Sequence, residues 1–175
     1  MKKIFTFALF ALGIASSLTV SAQTGDKSKR PSPPAEVSAT IASGATIRIN
    51  YSQPSVKGRT IGKDLEPKNG EIWRTGANEA TVFEASKDIK INGQKLAAGN
   101  YGLFTIAGDK EWTLIFNKTW DQWGAYDYKE ADDAMRVSVK ASKPAAFAEK
   151  MTFTIDKSGT IVLNWGDRSI SFKAD

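Results

Sequence analysis

Two short clusters in the run Tyr51–Ala80 carry the residue types that hold anions. The first is Ser55, Lys57, Gly58 and Arg59, where a glycine between two cations lets backbone approach a ligand closely. The second is Trp73-Arg74-Thr75-Gly76-Ala77-Asn78-Glu79. Arg74 can grip a carboxylate or phosphate with two parallel N–H donors. Asn78 can read a hydroxyl or amide, and Glu79 can bind a cation, orient water or act as acid or base. The same residues also have a structural use. Arg74 and Glu79 can form an ion pair that fixes the loop, Asn78 and the glycines can supply positive-φ turns, and Trp73 can belong to the core. Residue types alone leave both uses open.

A second cluster lies in Asn117–Asp133, where Trp120, Asp121, Trp123, Tyr126 and Tyr128 stand among polar residues. Sugars present flat C–H faces that stack on such rings, so a glycan platform is one reading. The other is that these aromatics cap an open barrel end while Asn117 and Asp121 satisfy loop amides. Asp127, Glu130, Asp132 and Asp133 lack the order and glycine of an EF-hand. They read as a solvated acidic turn, so no metal site is expected. Glu79 and Asp121 would suit glycoside hydrolysis only if they faced each other about 5 to 10 Å apart. Ser55 and Lys57, two residues apart, are a minimal Ser–Lys pairing.

Absent residue types narrow the chemistry further. The chain contains no cysteine and no histidine, which rules out disulfides, thiolate nucleophiles, Ser-His-Asp triads and His-ligated metals. No Walker loop, dinucleotide fingerprint or esterase elbow is present. The expectation is a non-catalytic protein without a cofactor.

These clusters need a scaffold, and the chain describes one. Lys2 and Lys3 precede an apolar stretch, Ile4–Ala15, and then Val20-Ser21-Ala22, the layout of a signal peptide over residues 1–22. Export to the periplasm or outside the cell is therefore expected, with no transmembrane segment left after cleavage. Loss of Lys2 and Lys3 lowers the formal net charge from +5 to +3. The basic residues are interleaved with acids, so no nucleic-acid partner is expected. Residues 23–35 are rich in Pro and Ser and read as a flexible tether. Residues 36–175 read as one domain.

Within that domain the apolar period is two. Ile47, Ile49 and Tyr51 alternate with polar neighbours, as do Met135, Val137 and Val139; Met151, Phe153 and Ile155; Ile161, Leu163 and Trp165; and Ile170 and Phe172. Tyr101–Ile106 and Trp112–Phe116 are apolar on both faces and predict central, doubly covered strands. Asn92-Gly93 predicts a hairpin. Ser158-Gly159 and Gly166-Asp167 predict a C-terminal meander, and Ala107–Lys110 a turn. Pro144–Lys150 is the one place for a helical turn. The sum is an all-β fold, an antiparallel β-sandwich or flattened barrel of about eight or nine strands with two long irregular loops.

The runs YSQPSVKGRTIG, EIWRTGANEAT, INGQKLAAGNYGLFTI and EWTLIFNKTWDQWGAYDY, in this order, resemble a bacterial exported family, domain of unknown function 2911. The resemblance extends from about Ser38 to the C-terminus, and the Trp73–Thr81 block is its most specific part. It implies export and a compact β domain, and it carries over no catalytic role to any residue here. At Gly62–Gly70 this chain reads GKDLEPKNG where the family is usually apolar and aromatic, which implies a more exposed turn here. The expected ligand is small and polar or anionic, a glycan fragment being one form. Lys57, Arg59 and Arg74 would supply charge, Asn78 and Glu79 hydrogen bonds, and Trp73, Trp120, Asp121 and Trp123 the remaining contacts. A carboxylate-based hydrolase and a structural or interaction module of the cell envelope are the alternatives.

Overall fold

The computed structural model describes residues 26–175. The expected signal peptide lies outside these residues. After a 3-10 turn at Lys27–Lys29 come twelve strands: β1 (Pro34–Thr40), β2 (Thr46–Ser52), β3 (Ile72–Trp73), β4 (Thr81–Ala85), β5 (Ile89–Ile91), β6 (Gln94–Leu96), β7 (Gly99–Ile106), β8 (Glu111–Asn117), β9 (Asp133–Ser142), β10 (Ala148–Ile155), β11 (Thr160–Gly166) and β12 (Arg168–Lys173). Nine of them form one path of antiparallel neighbours in the order β1-β2-β4-β7-β8-β9-β12-β11-β10. β3 adds to the end of β7, and β5–β6 is a separate hairpin. The all-β expectation and its strand number match this path.

The path nearly closes into a flattened barrel. Just past β2, the chain meets β10. Val56 N–H donates to Glu149 O at 2.9 Å, and Met151 N–H donates to Pro54 O at 3.0 Å. Tyr51 and Phe153 seal this seam edge to face, with ring centroids 5.1 Å apart.

The period-two residues point into the barrel, where Ile47, Ile49, Phe83, Leu103, Leu114, Phe116, Met151 and Ile161 are all fully buried. β7 and β8 are also covered outside. Phe104 and Ile115 join Ala80 in a second apolar cluster, roofed by Ala125 and Tyr128 of the 118–132 loop. That double cover explains why these two strands are apolar on both faces.

Turn chemistry is as expected. Asn92 and Gly93 have φ of 46° and 84° between paired Ile91 and Gln94, the geometry of a two-residue hairpin turn. Pro144–Lys150 forms no helical turn. It bends, and β10 already begins at Ala148. Strand pairing with β11 takes the backbone groups a helix would need.

The segment read as a tether is structured from residue 26 on. Pro34 and Ala35 open β1, and Gln53 N–H donates to Pro33 O at 2.8 Å. Composition hid this because the segment's partners are distant polar groups rather than apolar side chains of its own.

The first long loop is part of the barrel wall. Val56 is buried, and Ile61 and Leu65 pack against the core. Trp165 Nε1 donates to Glu66 O at 2.7 Å, and Arg168 donates to Pro67 O at 3.1 Å and to Ile61 O at 3.3 Å. Two C-terminal strands therefore fix a loop lying about a hundred residues earlier in the chain.

Candidate functional site

The Trp73–Thr81 block is a turn bonded to itself. Trp73 is a core residue. It sits edge to face with Trp112, and its Nε1 donates to Gly76 O at 3.0 Å. Thr75 and Asn78 both adopt positive φ, 53° and 56°. A β-branched residue at such a φ is uncommon and needs strong local support. The support is present: Thr75 Oγ1 donates to Thr105 Oγ1 at 3.2 Å, and Thr81 Oγ1 donates to Thr75 O at 2.8 Å. A Cβ on Gly76 would stand 2.8 Å from Thr81 Oγ1, so only glycine fits there.

Arg74 is the member of this turn whose side chain is left over. It is half-buried, and its Nε is shielded from solvent with no hydrogen-bond partner among the described residues. Burial pulls its pKa below the usual arginine value, while Tyr126 and the Glu66 carboxylate nearby favour the charged form. Glu66 is nevertheless not within ion-pair distance of it. The guanidinium is thus partly desolvated without an acceptor among the described residues, and an anion reaching its Nη groups would offset that cost.

Arg74 lines a cavity of about 340 Å³ between its own turn and the 59–68 loop. Arg59, Lys63 and Lys68 add positive charge to the lining, and Asp64 and Glu66 negative charge. Pro54, Leu65, Trp73 and Trp165 make the apolar part, and Ser32 completes one edge. Arg59 is held in place by donating Nε to Val56 O at 3.1 Å and Nη2 to Ser55 O at 2.8 Å. The two carboxylates cap local backbone: Asp64 accepts from Thr60 N–H and Glu66 from Lys68 N–H, both at 2.9 Å. The Gly62–Gly70 turn is largely exposed, as its polar composition implied, and its side chains still form one wall.

The expected Arg74–Asn78–Glu79 cluster divides. Asn78 and Glu79 turn to the N-terminal segment instead. Asn78 Nδ2 donates to Ser32 O at 2.9 Å. Glu79 receives both its oxygens' hydrogen bonds from Arg30 Nη1, at 2.9 and 3.0 Å, and a Lys27 ammonium at 3.0 Å. Partial burial pushes the Glu79 carboxyl up, but Arg30, backbone and Lys27 outweigh it and hold the pKa down at about 2. Arg30 also lies over the Trp123 ring, 5.7 Å from its centroid. The ion pair read from sequence therefore exists at Glu79, with Arg30 and Lys27 as partners in place of Arg74.

The remaining predicted residues lie elsewhere. Lys57 is exposed at φ 48°, its backbone N–H donating to Glu149 at 2.8 Å, and its side chain does not line the cavity. Trp120 and Trp123 are exposed, 38% and 51%, and neither they nor Asp121 reach the cavity. They ride on a loop built by Asn117, which is fully buried. Asn117 donates to Lys129 O and Asp133 Oδ1 and accepts from Thr119 N–H. Gln122 O accepts from Ala80 N–H, and Asn78 O accepts from Gly124 N–H, both at 3.0 Å, so this loop zips onto residues 78–80. No group of three or more carboxylates that could hold a metal ion occurs among the described residues. The described residues also contain no helix long and apolar enough to cross a membrane.

Sequence reasoning missed Lys63, Lys68, Trp165 and Ser32 as cavity residues. The two lysines had a readable signal, since they flank Leu65 in the turn where the chain departs from the resembled pattern. Trp165 and Ser32 had none, because only the three-dimensional fold brings them here. A neighbouring cavity of about 290 Å³ beside Trp112 is also polar, but Lys143 and Arg168 there are matched by Asp109 and Asp167, so its lining carries no surplus charge.

Fold and site together define a small antiparallel β domain, a nearly closed flattened barrel, whose first long loop and WRTGANEAT turn line an open, cation-rich cavity. The chain belongs to the family described as "Protein of unknown function (DUF2911)", whose model matches residues 32–174. No curated protein and no solved structure matches the chain.

Proposed function

We propose that this domain binds a small organic anion in the cavity at Arg74. The observation that carries the reading is the Arg74 guanidinium on a cavity wall, half-buried and without an ion-pair or hydrogen-bond partner among the described residues. Ligand sites combine a few convergent polar groups with apolar walls in volumes from about 300 Å³ upward, and this cavity has that composition. The layout of residues 1–22 supports an extracytoplasmic location, which makes the ligand a solute of the envelope or the surroundings.

Thermal denaturation of the Gln23–Asp175 protein with phosphate, sulfate and small carboxylates tests the proposal. A ligand at a hundred times its Kd stabilises by about 2.7 kcal/mol, a rise in Tm of several degrees for a domain of this size. Arg74→Ala should lose that rise while keeping most of its unliganded stability. Equal responses of wild type and Arg74→Ala would overturn the proposal.

One observation favours a second reading, glycan stacking at Trp120, Trp123 and Tyr126: these rings are exposed on a loop held firmly by Asn117 and Gln122. Tryptophan fluorescence that responds to soluble oligosaccharides and is lost in Trp120→Ala would support it. Hydrolysis through Glu79 gains no support from geometry, because a carboxyl held at about 2 by Arg30 and Lys27 is a poor proton donor at neutral pH.

A further inference from the structure

We infer that the ligand of the Arg74 cavity is a dianion, an organic phosphate monoester or a dicarboxylate. The inference rests on the reading of that cavity as an anion site and adds its charge. Four cations line it, Arg59, Lys63, Lys68 and Arg74, against two carboxylates, Asp64 and Glu66. None of the six is within ion-pair distance of another among the described residues. Both carboxylates are committed to backbone N–H groups on their own loop. The lining therefore keeps a formal surplus of two positive charges, with no ion pair among its described residues.

The arrangement of the cations has a direction. Arg74 is half-buried, whereas Arg59, Lys63 and Lys68 are exposed on the loop that forms the opposite wall. One negative charge meets the half-buried Arg74 guanidinium through its Nη groups. A second charge is drawn by the loop cations, whose attraction is weaker because solvent screens it. A singly charged ligand leaves that second group of cations unused. At about 340 Å³ the cavity also has room beyond a bare inorganic anion. Pro54 and Leu65 offer the ligand's body apolar contact. The Trp73 and Trp165 N–H groups are already donated to Gly76 O and Glu66 O, so these indoles contribute apolar surface only.

Matched aromatic probes separate charge from shape. Phenyl phosphate and benzenesulfonate share a ring and a tetrahedral head. At pH 8 the phosphate carries nearly two charges, since its second pKa is about 6, and the sulfonate carries one. Phthalate and benzoate are the corresponding carboxylate pair. Calorimetry at constant ionic strength on the Gln23–Asp175 protein should give at least one dianion a Kd about tenfold lower than its singly charged partner. The pair that shows the gap identifies the head group as phosphate or dicarboxylate. In the Lys63→Ala/Lys68→Ala variant the gap should shrink to about twofold, with benzenesulfonate affinity little changed. Equal affinities within both pairs would overturn the dianion and leave an anion site standing. If no probe binds, and Arg74→Ala behaves like wild type, the anion site itself falls and the dianion with it.

Discussion

Glu79→Gln removes one charge and almost no volume from the clasp that holds the N-terminal segment on the barrel. The native carboxyl has a pKa of about 2 against an ordinary 4.5. Taken whole, a depression of that size corresponds to about 3 kcal/mol. The Glu79 side chain retains 36% of its exposure and Lys27 52%, so solvent screening reduces the expected loss to about 1 kcal/mol. Arg30 Nη1 shared between both oxygens, with Lys27 on one of them, keeps it from falling to the few tenths typical of a lone surface pair. For a domain of this length that is a fall in Tm of about 3 °C at pH 7. The sign with pH follows from the depressed pKa. The contribution is complete above about 4.5 and is lost as pH falls from there through about 2. Urea melts of wild type and Glu79→Gln should therefore differ at pH 7, draw together as pH falls below about 4.5, and converge near pH 2. Arg30→Ala should cost a similar amount, and the double variant should lose less than the sum. Identical stabilities at pH 7, or a gap that persists unchanged to pH 3, would refute the clasp.

Asn117→Ala should cost about 2 to 3 kcal/mol in urea denaturation, because it strips fully buried partners from Lys129 O and Thr119 N–H; a loss under about 0.5 kcal/mol would show that the loop builds itself without it. Trp165→Phe removes the donor to Glu66 O and should raise amide exchange across residues 59–68 at a stability cost of about 1 to 2 kcal/mol; unchanged exchange there would mean that Arg168 and packing hold the loop without it. Gly159→Ala places a Cβ against the Ala174 carbonyl oxygen at a φ of 91° and should destabilise by more than about 2 kcal/mol, read as a lower urea midpoint.

What could be read from the chain alone is what depends on near neighbours. Ile47, Ile49 and Tyr51 alternate with polar residues, and each one lies inward on β2. Asn92-Gly93 turns because both residues accept positive φ. The doubly apolar β7 and β8 announced their central place, although the Ala125 and Tyr128 roof that makes them central lies outside either strand. β1 was hidden because it is an edge strand with no fully buried residue, so its pattern is faint. The division of the Arg74–Asn78–Glu79 group was hidden for another reason. Choosing Arg30 over Arg74 as the partner of Glu79 requires knowing that a segment 49 residues upstream crosses beside it. Adjacency in the chain favoured the wrong arginine. The same holds for Trp165, which reaches the cavity wall from 99 residues away.

The central claim is that the Arg74 guanidinium is an anion grip rather than a member of an internal ion pair. Arginine Nε–H resonances in a ¹⁵N-labelled Gln23–Asp175 protein test it directly, with Arg74 assigned by its absence in Arg74→Lys. On titration with phenyl phosphate the Arg74 resonance should shift saturably, while Arg48 and Arg136, which are paired elsewhere, stay in place. An Arg74 resonance that does not move, or that drifts linearly together with those two, would contradict the account.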